Sequence, residues 1–287
     1  MKKYFSFIIA LSLFISGCSL QKIALRSTTG LLYHSIDALY SEPDLQIAEQ
    51  AIASNLKLLE GLHQADPKNE EILLLLTQGY ASYSLGFVED VDVERAKLFY
   101  LRARDYGIKL LQRTKTFKDS IPIKEITFVE KINHLSEKDV PTLFWTGFAW
   151  GGWINLSKDE PQAIFDLGKV KAMMAKVLEL DEAFFFGASH LFFGSIYGSM
   201  PKILGGDPDM AREHFEKCLK LSNEKFILAY VYLARYYAQP LLDEVLFDEY
   251  LDKVVQAPVE ILPGNELITA IAKDKAKKLV AFKEELF

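Results

Sequence analysis

The chain has 287 residues, 33 basic and 39 acidic side chains, and a formal charge of −6 with its histidines neutral. Half of it is hydrophobic, and it holds two cysteines. Acids and bases alternate along its length, which presents no basic face to a nucleic acid, and two cysteines are too few for a disulfide-stapled scaffold.

Lys2 and Lys3 open the chain, and Tyr4 to Ile15 is an apolar run of about a dozen residues, too short to span a bilayer. Ile15, Ser16, Gly17 and Cys18 follow with the pattern of a bacterial lipobox. Residues 1–17 thus read as a lipoprotein signal peptide, and Cys18 as the residue acylated once the chain is cut before it. Several acyl chains on one residue anchor stably where one chain is marginal. Ser19, where an Asp would favour inner-membrane retention, points to the outer membrane ahead of the inner one, on the periplasmic side. Removing 17 of the 287 residues leaves 270, and losing Lys2 and Lys3 takes the charge from −6 to −8. Residues 18–30 form the lipidated cysteine and a short polar tether, and 31–287 read as one all-α domain, since no linker divides them. No later run reaches the length of a membrane span.

From Gly30 the periodicity is helical. Apolar residues recur at three- and four-residue spacing in Ile47, Ala51, Leu58, Leu59 and Leu62, then in Leu73, Leu76, Tyr80 and Tyr83. Ser41 or Asp44 can cap one helix, Asp66 before Pro67 another, and Ser157 with Glu160 a third. Gly205, Gly206, Asp207 and Pro208 combine a left-handed stop, an N-cap and a first-turn proline. Thr114 to Pro141 departs from the pattern and is expected to hold one irregular helix.

A degenerate repeat underlies this punctuation. Ala211, Phe215 and Cys218 have the small, aromatic, small spacing of the second helix in a tetratricopeptide unit. Ala96, Tyr100 and Ala103 echo it, and Val170, Met174 and Val177, then Phe247, Leu251 and Val254, keep the spacing with looser chemistry. The expected architecture is a curved single-domain solenoid of stacked helical hairpins. Cys218 then falls where helices approach closely, a buried and inert thiol rather than a nucleophile.

No catalytic pattern emerges. His34, His63, His134, His190 and His214 are dispersed without a ligand spacing, Gly205 and Gly206 lack a nucleotide fingerprint, and Glu89 with Asp90 read as a solvated helix end. The chain therefore reads as a non-enzyme, with no metal and no cofactor. Aromatic density stands out instead. One block holds Phe144, Trp145, Phe148, Trp150 and Trp153 among glycines; a second holds Phe184, Phe185, Phe186, Phe192, Phe193 and Tyr197. These rings either form core between close-packed helices or line a groove for an apolar or amphipathic ligand. The candidate lining residues are Trp145, Trp150, Trp153, Phe184, Phe185, Phe186, Tyr197 and Arg235, with Asn155, Tyr236 and Tyr237 as further polar contacts.

At the level of whole segments the chain resembles the T component of tripartite ATP-independent periplasmic (TRAP) transporters, the TatT family. The likeness runs through Asp37–Glu42, Asn55–Gly61, Asp66 with Pro67, Gly79, Tyr80, Tyr83 and Gly86–Glu89. It continues in Trp145–Gly147, Ala149–Gly151 and Trp153, then in Tyr197–Ser199, Pro201, Leu204–Pro208, Ala211, His214 and Phe215. Thr269 departs from it, standing where the family tends to place an asparagine. The resemblance implies a lipoprotein that docks a TRAP-type periplasmic solute-binding protein and assists uptake of a small ligand with an apolar part, such as an organic acid. It also implies ring-like homo-oligomers, a trimer among them, with an apolar pore. The alternative is a general helical-repeat lipoprotein scaffold for envelope assembly; a hydrolase would need a clustered nucleophile and base or a metal.

Overall fold

The computed structural model describes residues 29–118 and 120–287. Cys18 and the signal segment lie outside them. The chain folds as α1 (Thr29–Tyr40), α2 (Leu45–Ala65), α3 (Glu70–Tyr83), α4 (Val93–Leu111), α5 (Glu125–Ile132), α6 (Val140–Leu156) and α7 (Pro161–Leu180), then α8 (Phe184–Ser199), α9 (Pro208–Leu221), α10 (Leu228–Leu233), α11 (Glu244–Gln256), α12 (Glu266–Ala281) and α13 (Lys283–Leu286). No strand occurs among the described residues, so the class is all-α, as the periodicity predicts.

Local chemistry sets the helix ends. Asp44 accepts hydrogen bonds from the Gln46 and Ile47 amides at the start of α2, and Asp207 does the same for Asp209 and Met210 at α9. Pro208 fills the first turn of α9, and Gly205 supplies a left-handed residue with φ +91° just before it. Two expected caps are displaced. Asn69, not Asp66, caps α3, because Asp66 closes the preceding helix. Ser157 ends α6 rather than starting α7: a turn bond from the Glu160 amide to its carbonyl (2.9 Å) places Glu160 at the α7 entrance.

The four triplets fall on α4, α7, α9 and α11, and every one of their twelve residues is at most 1% exposed. Each of these helices packs on the one before it, giving the hairpins α3/α4, α6/α7, α8/α9 and α10/α11. Glycines let the pairs approach. A Cβ on Gly152 of α6 would sit 2.5 Å from the Tyr100 ring of α4, and one on Gly194 of α8 would sit 2.6 Å from the Phe215 ring of α9. In the two triplets with an aromatic centre, the ring thus rests on a glycine of a neighbouring helix.

Successive hairpins stack through α4 on α6, α7 on α8 and α9 on α10. Phe148, Phe185, Ala188 and Tyr197 pack against both of the two buried clusters, one mainly of α2–α7 with Phe193, Ile196, Leu267 and Ile271, the other mainly of α8–α12. The last long helix, α12, packs on α10 and α11 and also returns to α1 and α2. Its Ile271 lies against Gly86, so α12 also reaches the turn that follows α3. Between Thr114 and Pro141 the irregular segment contains α5, which docks on α7, while Phe117 and Phe128 bury their rings 5.3 Å apart beneath it.

Candidate functional site

The first helices of the hairpins, α3, α6, α8 and α10, share an inner face, and α12 covers it. They border an apolar chamber of about 120 Å³ walled by Trp145 and Phe148 from α6, Phe185 and Phe192 from α8, Tyr232 from α10, and Ile268 and Ile271 from α12. Beside the chamber lies a wider mouth of about 670 Å³ with a mixed polar and apolar lining, which also takes Lys158, Ser199, Arg235, Asp90 and Lys275. Glu89, Asn155, Tyr232 and Tyr236 belong to both walls, so the two spaces adjoin.

Two π-helical turns shape the junction. Ser84–Val88 continues α3, with the Glu89 amide bonded back to the Ser84 carbonyl (2.9 Å), and Ala234–Ala238 continues α10 in the same way. Such wide turns change the direction of the residues they carry and recur where helices line a site. The first delivers Glu89 and Asp90; the second carries Arg235 and Tyr236. A Cβ on Gly198 would overlap the Tyr236 carbonyl oxygen, so only glycine lets the end of α8 approach this turn.

Asp90 is exposed at this helix end, as expected, but Glu89 is only partly so, and both carry an ion pair that the sequence did not announce. Lys275 of α12 is buried and donates to Glu89 Oε1 (2.8 Å) and Asp90 Oδ2 (2.6 Å), and Tyr100 Oη donates to Glu89 Oε2 (2.6 Å). Their partner Lys275 arrives on α12 from 186 residues away, which no local pattern announces. Burial pulls the Lys275 ammonium down, but the two carboxylates outweigh it and hold its pKa above the ordinary lysine value. Burial, then the Glu89 charge, keeps the Tyr100 and Tyr232 phenols well above theirs. Asn155 Nδ2 donates to Tyr236 Oη (3.0 Å) across the same junction.

The residues singled out from sequence divide between the two expected roles. Trp145 and Phe185 line the chamber and Arg235 lines the mouth. Trp150 and Trp153 are buried away from both, with the Arg104 guanidinium 5.6 and 5.8 Å from their rings and the Lys169 ammonium 5.6 Å from Trp150. Phe184 packs edge-on to Phe144 (5.3 Å), Phe186 rests on Phe226 (5.2 Å), and Tyr197 stacks on His214 (5.7 Å). Lys158, Ser199, Tyr232 and Lys275 carry no sequence signal for this wall. They reach it from four separate elements.

Two of the five histidines meet outside the chamber. His190 Nδ1 lies 2.8 Å from His214 Nδ1, and His190 Nε2 lies 3.2 Å from Glu182 Oε1. With the carboxylate accepting from His190 Nε2–H, His190 Nδ1 is bare and accepts from His214 Nδ1–H. Among the described residues no three His, Cys, Asp or Glu side chains are grouped to hold a metal, and no helix is long and apolar enough to cross a membrane.

The fold and this space define an all-α protein of stacked helical hairpins built around an amphipathic cavity. The family model of the TRAP transporter T-component matches residues 41–287, and the chain belongs to that family. It is also similar to an uncharacterized protein of Treponema pallidum (strain Nichols), 22% identical over 311 aligned positions that cover 98% of this chain and 96% of the relative. The protein is thus a component of a TRAP transport system.

Proposed function

We infer that this protein is the non-enzymatic, lipid-anchored accessory of its TRAP system, docking an extracytoplasmic solute-binding protein and receiving a small amphipathic ligand in the chamber between its hairpins. The observation that carries this reading is the chamber itself: an apolar, aromatic-walled space between the helical hairpins, adjoining a mouth that charged side chains line. A scaffold for envelope assembly needs only its outer faces, whereas a cavity with a mouth serves a ligand. In this reading Cys18 is the lipid anchor, residues 18–30 the tether and 31–287 the docking body. The body stands on the periplasmic side of the membrane, the outer one ahead of the inner, as a ring-like homo-oligomer such as a trimer.

Association with the solute-binding protein encoded beside it is the direct test. Mixed at micromolar concentrations, the two should co-elute and give a saturable titration; separate elution at those concentrations overturns the docking role.

A further inference from the structure

The charges around the mouth do not cancel. Lys275 occupies Glu89 and Asp90, and Lys278 is paired with Asp274 at 2.7 Å. That leaves Arg235 with a 3.7 Å approach to Asp90, a carboxylate already held by Lys275, and Lys158 with no hydrogen bond or ion pair among the described residues. Ser199 Oγ lines the same cavity, is shielded from solvent and has no hydrogen-bond partner. Two cations and a hydroxyl, contributed by three separate elements, therefore face one space with their donors unspent.

Such an arrangement is costly when empty. The shielded Ser199 hydroxyl forfeits the hydrogen bonds that water gave it, and the two cations, though solvent reaches both, have no carboxylate of their own. Partial loss of water, then the Arg235 charge, lowers the Lys158 pKa below the ordinary lysine value. An anion placed between the two cations would reverse both effects. Behind it lies an apolar chamber of about 120 Å³, slightly smaller than the roughly 150 Å³ engineered cavity that takes up benzene.

We propose that the mouth is an anion subsite in which Lys158, Arg235 and Ser199 hold the carboxylate or phosphate head of a small amphipathic ligand, whose single ring or short branched chain fills the chamber. The proposal rests on the reading that the chamber takes a ligand, and it adds the ligand's charge, its size and the residues that select it. The apolar wall supplies tolerance for tail shape. The mouth supplies discrimination, because a neutral head leaves the same two cations facing each other.

Calorimetric titration of the full chain with phenylpropanoate, phenylpropyl phosphate and neutral phenylpropanol separates the parts. Charge-assisted hydrogen bonds of about 1.5–3 kcal/mol make the anions bind roughly ten-fold or more tightly than the alcohol, and raised salt should narrow that gap. Whichever anion is preferred names the head group, and either order supports the subsite. In Lys158→Met with Arg235→Met the gap between anions and alcohol should close, and Ser199→Ala should weaken the anions by a few-fold; unchanged unfolding midpoints certify the folds. Equal binding of alcohol and anions by the unaltered protein overturns the subsite and leaves the chamber reading standing. No binding of any of the three probes overturns the chamber reading, and the subsite with it.

Discussion

Single side chains in this fold carry consequences that can be read one at a time. The His190 and His214 rings share one proton between two ring nitrogens, so the pair accommodates both rings neutral. Burial, then the His190 charge, pushes His214 down to about 4, and burial likewise lowers His190. Both folded values lie below the unfolded one of about 6.5, so the unfolded chain binds more protons as pH falls. Stability from the pair is therefore complete above about pH 6.5 and is lost as pH drops toward 4. His214→Phe, which keeps the stacking on Phe193 and Tyr197, should flatten the fall in unfolding midpoint between those pH values relative to the unaltered protein. An identical slope in the two proteins would exclude the pair as its source. Cys218 is the other residue with a definite chemical forecast. It is fully buried, its Sγ donates to the Phe186 carbonyl (3.4 Å), and burial pushes its thiol up to about 12. Thiolate, not thiol, reacts with alkylating reagents, so native protein should resist iodoacetamide at neutral pH and become labelled only on unfolding.

At the scale of elements the glycines sort by what lies above them. A methyl group added at Gly61 of α2 would meet nothing within 4 Å, whereas at Gly152 the Tyr100 ring stands 2.5 Å away. Alanine favours a helix over glycine by about 1 kcal/mol, so Gly61→Ala should stabilise the protein by up to that amount. Gly152→Ala should destabilise it, because α4 and α6 must part to admit the methyl; denaturant titration of both variants reads the opposite signs. The same elements show what a sequence can and cannot disclose. Four triplets were legible because a buried position on a second helix must be small or flat against its neighbour every third or fourth residue, and all four are sealed. The aromatic blocks were visible as composition but not as orientation: α6 is apolar around most of its circumference, so nothing local separates chamber-facing Trp145 from core-facing Trp150 and Trp153. Phe185 and Phe186 were less legible still. Their φ values of 46° and 62° are left-handed conformations that bulky residues rarely adopt, and rings from α6 and from Phe226 hold them there.

For the molecule as a whole, α12 decides whether the hairpins enclose a chamber or merely a groove. Its contribution to the wall, Leu267, Ile268 and Ile271, is apolar and nonspecific; the register comes from Lys275 between Glu89 and Asp90. None of this was visible in sequence, since a lysine near the C-terminus and two acids after α3 look like solvated surface until the chain has folded between them. Replacing Lys275 by Met strands the part-exposed Glu89 beside the exposed Asp90; because solvent reaches both acids, the loss should fall below the cost of about 3–5 kcal/mol for removing one side of a fully buried ion pair. Glu89→Gln with Asp90→Asn in the Lys275→Met background should recover part of that loss, since it removes the repulsion, and a double-mutant cycle would measure the coupling. The pH dependence has the opposite sense to that of the histidines. Because the folded-state pKa of Lys275 is raised above its unfolded value of 10.5, its contribution is complete below about pH 10.5 and is lost as pH rises through the folded value. Thermal unfolding should therefore show a decline at high pH that Lys275→Met reduces. If α12 is the lid this geometry makes it, hydrogen exchange in Lys275→Met should rise first in α12 and in the Ser84–Val88 turn, ahead of the α6/α7 hairpin; uniform loss of protection would instead mean that the ion pair supports the fold at large and not the closure of the chamber.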